Sequence, residues 1–569
     1  MKYVRLLLLS LIIWYPAQNI FSQIRLLDAK ESAYVVVLPT SYNTAEKKAA
    51  DVLRYFFKKA TSFNLPVVQG VYEGKSIFIK EDASLPTQAV WNYAENGNFV
   101  ISGGIQDGVL HAAIHFIKQV LHIDWLGTGA IYYPPLVHNL IIPIDYSYDS
   151  KPDFITRTIL GHSASDGDYR MGNFLQNIFE GHYSFAHTFN SDMLPKDSFF
   201  LKHPEYYALV GNNRVSDQPC LTNNEVYEIV KRNIAQKINN KGNNKYSHYS
   251  ISLDDNTVIS TDKESQIIMK RNGDSYMGVV LEFVNNIAAN FQDKKFTTLA
   301  YMTTKKPPTI VRPFANVQII LTNADYDKSK SLEKGGFDVQ QKLDMNKVIP
   351  EWVKIDSSLI LWDYVANFTE PFCPWPIVNT FKPNLQFYKS VGVKNLFIQD
   401  AGLFPGSMSD LKSYLLSNLM WNVNLDTDSL AMNFCQKYYG RAYKQMHQYF
   451  KEMNEISYYS NQAMLTYDYF KEYKNTIFTY NNIKKWQSLL KTALSNAKNY
   501  PEYKRVLIEW LALDYLKLTL IQTSETWMPK SEYKKSQLIA FKKDFCRKCA
   551  EYGIIDYSKY GIKRSYIEH

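Results

Sequence analysis

The sequence predicts an α/β protein with an N-terminal α/β domain, a central (β/α)8 barrel of the TIM-like type and a C-terminal helical domain. Three observations favour this architecture. The 569 residues are too many for one hydrophobic core. Between residues 149 and 425, apolar strands alternate with amphipathic helices, which is typical of parallel strands joined by helical crossovers. Over residues 426–569 the apolar periodicity is helical.

Residues 1–22 have the pattern of a secretory signal peptide. Lys2 and Arg5 precede the apolar run "LLLLSLIIW", and small residues near Ser22 suit a cleavage site. The run is too short for a comfortable membrane span, and no cysteine near the cleavage point could carry a lipid. We therefore expect an exported protein, periplasmic or secreted, without stable membrane insertion.

Residues 23–148 are expected to form the N-terminal α/β domain. "AYVVVLP" is typical of a buried strand, and "NTAEKKAADVLRYFFKKA" of a helix with Ala49, Leu53 and Phe57 on its apolar stripe. Asn43 and Glu46 have the spacing of a capping box at the start of this helix. A second helix is predicted in "IQDGVLHAAIHFIKQVL".

Residues 149–425 are expected to form the barrel. The candidate strands are "ITRTIL", "YYALVG", "YSISLD", "FTTLAYM", "VQIILT", "LILWDY" and "NLFIQD". Helical stretches such as "NEVYEIVKRNIAQKI" and "GVVLEFVNNIAANF" separate them. These segments predict a (β/α)8 barrel with one irregular unit, and a doubly wound open sheet is the structural alternative.

Residues 426–569 are expected to form a helical domain that supports the barrel. "EYKRVLIEWLALDYLKLTLIQ" is its most regular amphipathic stretch. Cys546 and Cys549 form a lone CxxC without the two further ligands of a structural zinc site. The net charge of +9 is spread along the chain, so we expect no nucleic-acid partner.

The stretch "YSISLDDNT" places two acids, Asp254 and Asp255, at the end of a predicted strand. In parallel barrels the carboxyl ends of the strands and the loops after them build the active site. An Asp-Asp-Asn sequence also suits a turn or a helix cap, so that alternative stays open.

Other strand ends carry polar and aromatic residues, which we take as candidate substrate contacts. They are His187, Tyr301, Trp362, Asp363, Tyr364, Asn367 and Gln399. For Asp363, an ion pair with a basic group inside the barrel is an equally plausible alternative. The loop histidines His162, His182 and His187 lack the spacing of a metal site, so we expect neither a metal nor an organic cofactor.

Two carboxylates with aromatic walls are what glycoside hydrolysis requires. One acid protonates the leaving oxygen, and a second group stabilises or attacks the oxocarbenium-like centre. In 2-acetamido sugars the acetamido oxygen of the substrate can make this attack itself. Aromatic residues make up 15% of the chain, which suits stacking on sugar rings.

Several sequence blocks resemble the domain of unknown function 4838 family. They are "HPEYYALVGNNR", "QPCLTN", "LAYMTTKKPP", "NVQIIL", "LWDYVANF", "GVKNLFIQD", "LMWNVNLDTD" and "FCQKYYG". That family includes the endo-β-N-acetylglucosaminidases of glycoside hydrolase family 163, which cut N-glycans. The resemblance implies an N-terminal domain like those of α-glucuronidases and hexosaminidases, followed by a catalytic barrel.

The resemblance also assigns positions. Asp255 matches the aspartate that heads the family's "DN" motif, with Asp254 before it, and His187 matches a histidine in a family loop. His203 and Glu205 match the "HPE" block. Trp362, Asp363 and Tyr364 match the "WDY" block, and Gln399 matches the polar end of a late strand.

We therefore expect an exported glycoside hydrolase that acts on N-acetylglucosamine-containing glycans or glycoproteins. Asp255 is expected to be the general acid or the group that orients the acetamido substituent, with Asp254 as its partner. A non-catalytic glycan-binding protein on the same scaffold is the main alternative. A lyase that uses Tyr and His on an acidic sugar is a third.

Overall fold

The computed structural model describes residues 23–402, 406–524, 526–529, 531–532 and 535–552. The predicted signal peptide, residues 1–22, lies outside them. The chain divides into two compact units, one made of residues up to 123 with Tyr133–Lys151, the other of Asp124–Tyr132 with the chain from Pro152 onward. Among the described helices, none is long and apolar enough to cross a membrane.

The first unit is built on a six-stranded mixed sheet. In spatial order its strands are Ser147–Ser150, Val90–Glu95, Asn98–Gly103, Ser76–Glu81, Val35–Leu38 and Val67–Gln69. The helices Thr44–Thr61 and Gly108–Gln119 belong to this unit, as does a two-stranded sheet of Gln23–Leu27 and Leu140–Pro143. The predicted capping box is confirmed, because Asn43 accepts from the Glu46 N–H and the Glu46 carboxylate accepts from the Asn43 N–H.

The second unit is built on a parallel sheet of six strands. In chain order they are β1 (Thr156–Leu160), β2 (His248–Ser250), β3 (Lys295–Ala300), β4 (Val317–Asn323), β5 (Ile360–Tyr364) and β6 (Asn395–Gln399). Their spatial order is β1-β6-β5-β4-β3-β2, and every pair is parallel. The first strand therefore lies beside the last, as in a curled sheet.

An irregular segment, residues 176–188, lies between β1 and β2. The Gln176 N–H donates to the Arg157 carbonyl in β1 at 3.0 Å, and the Tyr183 N–H donates to the His248 carbonyl in β2 at 2.9 Å. The Thr188 N–H donates to the Ser252 carbonyl at 3.1 Å. This segment bonds to both edge strands of the sheet without forming a regular strand.

The described sheet therefore has six strands, where eight β/α units were expected. The candidate strand "YYALVG" is not part of it. Tyr207–Val210 instead pairs antiparallel with Asn213–Pro219 in a hairpin. The reason is the turn between them, where Gly211 has a φ of 61°, a conformation that reverses the chain tightly.

The strand that leads to the two acids is shorter than expected. It ends at Ser250, and the last bond toward β3 runs from the Ile251 N–H to the Thr297 carbonyl at 2.9 Å. Beyond this point the backbone leaves the sheet. The Ser252 N–H donates to Thr188 Oγ1, and the Asp254 N–H donates to Gln218 Oε1.

Helices follow the parallel strands and continue to the end of the described chain. Those between the strands and directly after β6 are Gly167–Gly172, Lys196–Phe199, Asn224–Asn239, Lys263–Arg271, Met277–Ala288, Leu332–Gly335, Met345–Ile355, Phe381–Ser390 and Ser409–Trp421. Two small hairpins pair Asp124–Gly127 with Ala130–Tyr132 and Phe337–Asp338 with Leu343–Asp344. The later helices are Thr427–Tyr439, Tyr443–Tyr459, Tyr480–Asn496, Tyr500–Thr523 and Lys535–Glu551. These later helices belong to the same compact unit as the parallel sheet.

Two histidines stack where the irregular segment meets the start of β2. The rings of His182 and His248 lie 4.5 Å apart at 21°. Burial, together with the neighbouring His182 and the charge of Lys295, lowers the pKa of His248 to about 4. Burial also lowers the pKa of His182. Both rings therefore favour the neutral form in the folded protein.

We expect the contribution of His248 to the free energy of unfolding to decrease as the pH falls from about 6.5 to about 4. In the unfolded chain His248 binds a proton near its ordinary pKa of 6.5, whereas in the folded protein it stays neutral down to about pH 4. Between these values His248 binds more protons in the unfolded chain than in the folded protein, so at this residue acid favours unfolding. Urea midpoints measured across this range should show that the wild type loses stability relative to His248→Gln as the pH falls.

His138→Gln is the matched control, because His138 is exposed. Its pH dependence should match the wild type. The same pH-dependent difference from the wild type in both variants would contradict a specific role of the stacked pair.

Candidate active site

A cavity of about 210 Å³ opens at the carboxyl edge of the parallel sheet. Its lining residues are His187, Asp255, Leu299, Tyr301, Thr322, Trp362, Tyr364, Phe368, Gln399 and Tyr467. Six residues from the predicted set are among them: His187, Asp255, Tyr301, Trp362, Tyr364 and Gln399. The other three, Asp254, Asp363 and Asn367, do not line it. The cavity lies where parallel strands bring their carboxyl ends together.

Asp255 and Tyr301 form the polar centre of this cavity. Asp255 is exposed, and Tyr301 directly follows β3. Burial is the largest cause that raises the pKa of Tyr301, and the charge of Asp255 and a hydrogen bond to its carboxylate raise it further. The phenol therefore remains protonated and donates to Asp255.

His187 reaches the cavity from the irregular segment. Its Nδ1 lies 3.0 Å from the Leu253 carbonyl, which can only accept, so Nδ1 carries the hydrogen. Nε2 remains for another partner. The ring meets Tyr301 edge to face at 5.8 Å. His187 also has a φ of 55°, a left-handed conformation that is costly for a residue other than glycine.

An aromatic wall forms the side of the cavity at β5. Trp362 and Tyr364 stack with their ring centres 5.5 Å apart at 14°. The Trp362 indole N–H donates to Gln399 Oε1 at 3.0 Å, which fixes the ring relative to β6. Burial raises the pKa of Tyr364 well above its ordinary value, so its hydroxyl stays neutral.

Asp254 points toward other partners. Its carboxylate accepts from the Asn190 backbone N–H, with distances of 3.0 and 3.3 Å to its two oxygens. Its own backbone N–H and carbonyl both bond to the Gln218 side chain. Burial raises the pKa of Asp254, and the Asn190 hydrogen bond and the charges of His187 and Lys196 partly oppose this rise.

Asp363 is buried in an ion pair. Lys328 Nζ lies 2.9 Å from Asp363 Oδ1, and the Tyr388 hydroxyl donates to Asp363 Oδ2 at 2.6 Å. The Tyr364 N–H also donates to this carboxylate at 2.8 Å. Asp363 therefore forms the ion pair with a basic group that was the alternative to a substrate contact, and it does not line the cavity. It orients the backbone of Tyr364, which does line the cavity.

Asn367 is also buried, and its side chain forms hydrogen bonds to backbone groups. Its side-chain oxygen accepts from the Thr369 and Glu370 N–H groups, and its Nδ2 donates to the Asp468 carbonyl at 2.8 Å. It therefore ties the loop after β5 to a segment about a hundred residues later in the chain.

The loop histidines do not assemble a metal site at the cavity. Among the described residues, one group has the spacing of metal ligands, namely His203, Glu205 and Glu225, whose ligand atoms lie within 4.8 Å of one another. None of the three lines the cavity. His203 stacks on Tyr206 at 4.5 Å, and the Tyr206 hydroxyl donates to Glu225.

Comparison with known proteins identifies the family of this chain. Residues 125–451, more than half of the chain, match the family described as domain of unknown function DUF4838. The chain belongs to this family. No curated protein matches the sequence.

Comparison with solved structures shows which proteins have a similar fold. A family GH115 4-O-methyl-α-glucuronidase with specificity for decorated arabinogalactans has a TM-score of 0.58 and 10% identity, over 95% of this chain and 78% of that chain. A β-N-acetylhexosaminidase from Bacteroides fragilis has a TM-score of 0.42 and 11% identity, over 76% of this chain and 93% of that one. The first of these likenesses shows that this DUF4838 chain has a fold that glycoside hydrolases use.

Four lining residues were not predicted: Leu299, Thr322, Phe368 and Tyr467. Leu299 and Thr322 lie near the carboxyl ends of β3 and β4, and this position was the one signal in the sequence that could have identified them. Phe368 directly follows the "WDYVAN" stretch. Tyr467 comes from the helical region, and no local pattern connects it with the strands.

The buried pair Lys328–Asp363 provides a test of what holds this edge of the sheet. Their side chains are 1% and 6% exposed. We expect Lys328→Met to lower the free energy of unfolding by about 3–5 kcal/mol, because it leaves the Asp363 charge buried without its partner. Urea denaturation followed by tryptophan fluorescence measures this loss.

The exposed pair Lys451–Asp428 is the matched control, with side chains 46% and 53% exposed. Lys451→Met should cost about 1 kcal/mol or less. Equal losses in the two lysine variants would show that burial of the pair is not what matters.

Proposed function

We propose that this protein is an exported glycoside hydrolase that cleaves N-acetylglucosamine-containing glycans, as an endo-β-N-acetylglucosaminidase of N-glycans. The observation that carries the proposal is the position of Asp255, which faces a cavity with aromatic walls beside the protonated Tyr301. The signal-like pattern of residues 1–22 supports export. Membership of the DUF4838 family and a fold that glycoside hydrolases use are consistent with this activity.

In the proposed mechanism Asp255 acts as the general acid. It donates a proton to the glycosidic oxygen as the bond to the anomeric carbon breaks. The acetamido oxygen of the same sugar attacks that carbon and forms a cyclic oxazolinium ion, so no enzyme nucleophile is needed. Water then opens the ring, with Asp255 as the base that accepts its proton.

Tyr301 and His187 would support this chemistry from the cavity wall. The Tyr301 hydroxyl donates to Asp255 and holds the carboxyl in place. His187, whose Nδ1 is occupied by the Leu253 carbonyl, offers Nε2 to a sugar hydroxyl or to the acetamido group. Trp362 and Tyr364 offer apolar ring surface to the sugar.

Asp254 is the proposed partner of Asp255. Burial raises the pKa of Asp254, and the charge of His187, which lines the cavity, partly opposes this rise. It is anchored to Asn190 and Gln218. We therefore expect Asp254 to position the loop and to tune the local charge, while Asp255 contacts the substrate.

A non-catalytic glycan-binding protein is the second candidate. It is favoured by one observation: among the described residues that line the cavity, Asp255 is the one carboxylate. A protein that binds glycans without cleaving them needs the aromatic wall but no acid pair. Mass spectrometry of N-glycosylated proteins after incubation with the protein distinguishes the two, because only the hydrolase shortens the glycans.

We expect Asp255→Asn to lower kcat by about 10²–10⁴-fold on a natural glycan, because an amide cannot donate the proton. The loss should be much smaller on an aryl glycoside with an acidic leaving group, which departs without protonation. Asp254→Asn should cost less than Asp255→Asn on both substrates. Initial rates with the two substrates measure these differences.

Asp217→Asn is the matched control, because Asp217 is an exposed aspartate in the neighbouring strand Asn213–Pro219. It should keep wild-type rates. Full activity of both Asp254→Asn and Asp255→Asn would disprove the assignment. A loss for Asp255→Asn that does not depend on the leaving group would assign it to orienting the acetamido group.

Attack by the acetamido oxygen of the substrate predicts a further dependence of the rate on the substrate. The rate with aryl 2-acetamido glycosides should fall with each fluorine placed on the acetamido methyl group, because fluorine withdraws electron density from the attacking oxygen. A series with zero to three fluorines, measured as kcat/KM, tests this. A rate that is insensitive to fluorine would point to an enzyme nucleophile instead.

A further inference from the structure

A segment from the helical region, residues 460–470, carries Tyr467 to the cavity. Three hydrogen bonds fix its backbone on both sides of Tyr467: the Phe368 N–H to the Thr466 carbonyl at 2.9 Å, Thr369 Oγ1 to the Tyr467 carbonyl at 2.7 Å, and Asn367 Nδ2 to the Asp468 carbonyl at 2.8 Å. The segment is therefore fixed to the loop after β5.

Four aromatic rings form a continuous row from the sheet to the surface. Ring centres lie 5.5 Å apart for Trp362 and Tyr364, 5.9 Å for Tyr364 and Phe368, and 5.8 Å for Phe368 and Tyr467. Tyr364 is 7% exposed, Phe368 is half-buried and Tyr467 is 53% exposed. The row thus begins in the cavity wall and ends in solvent.

Tyr467 differs from its exposed neighbour Tyr469. Tyr469 lies on the same segment and is 57% exposed, but it does not line the cavity. Tyr467 combines a fixed backbone, an exposed ring and a position at the mouth of the cavity. A large apolar ring held rigidly in contact with water offers a binding surface at low entropic cost.

We propose that Phe368 and Tyr467 form a platform for a second sugar ring, so that the substrate is an oligosaccharide of at least two units. We name the pair the outer platform. This inference rests on the proposed function and sets the smallest substrate that uses the whole site. One sugar lies beside Asp255, and the next stacks on the outer platform, which lines the same cavity toward its exposed end.

The volume of the cavity and the chemistry of Tyr467 agree with this division. The cavity of about 210 Å³ is smaller than the roughly 300–1,000 Å³ typical of ligand pockets, so it suits a single ring. Burial, followed by the charges of Asp325 and Asp255, raises the pKa of Tyr467. Its hydroxyl stays neutral and can donate to a sugar oxygen while the ring stacks.

The test compares a short and a long substrate in the full chain. We expect Tyr467→Ala to lower kcat/KM about tenfold more on N-acetylchitotriose than on an aryl N-acetylglucosaminide, because only the trisaccharide places a second sugar on the outer platform. Tyr467→Phe should restore most of the activity on the trisaccharide, because the ring still stacks. Tyr469→Ala, the matched control, should behave as wild type on both substrates.

An equal effect of Tyr467→Ala on both substrates, or no effect on either, would overturn the outer platform. If the wild type cleaves neither substrate, calorimetry decides the platform, and the assay on N-glycosylated proteins decides the hydrolase proposal separately. A trisaccharide Kd weakened about tenfold by Tyr467→Ala, with a much smaller change in the Kd of N-acetylglucosamine, supports it. An unchanged trisaccharide Kd, or no trisaccharide binding to the wild type, overturns it.

Discussion

Three buried lysines hold the carboxyl edge of the parallel sheet together, and the geometry of the cavity depends on them. Their partners are Asp325 and Asp338 for Lys305, Asp363 for Lys328, and Asp400 for Lys412, at 2.6–2.9 Å. Each lysine joins elements that are separate in the chain, and Lys412 does so from the helix Ser409–Trp421. A buried charge that loses its partner is strongly unfavourable, so these pairs fix where each strand ends. Trp362 and Tyr364 flank Asp363 in the chain, so the pair with Lys328 also holds these two cavity residues in place.

The pairing with Lys328 explains how the "WDY" block divides between structure and site. Successive residues of a strand point to opposite faces, so Trp362 and Tyr364 share the cavity face and Asp363 takes the other. Asp363 then binds Lys328, and its carboxylate also accepts from the Tyr364 N–H. The sequence shows the period-two alternation that separates Asp363 from its neighbours. It does not show that Lys328 is the partner of Asp363. Local chemistry could suggest a pair for Asp363 without identifying its partner.

The same distinction separates what the sequence predicted from what it did not. The capping box at Asn43, the helices and most parallel strands follow from local periodicity, and they are confirmed. The irregular segment 176–188 bonds to both edge strands without any alternating pattern, so the strand count was wrong. Tyr467 reaches the cavity through bonds to residues about a hundred positions earlier, and no short-range pattern encodes such contacts.

The two adjacent acids show how identical side chains come to have different environments. After Ile251 the backbone leaves the sheet and its polar groups find new partners, so Asp254 is anchored by Asn190 and Gln218. Asp255, one residue later, is left facing the cavity and Tyr301. The two carboxyl groups therefore differ in their access to the cavity, which suits separate roles. In a substrate-assisted mechanism one carboxyl must exchange a proton with the glycosidic oxygen, and of the pair Asp255 has the access to do so.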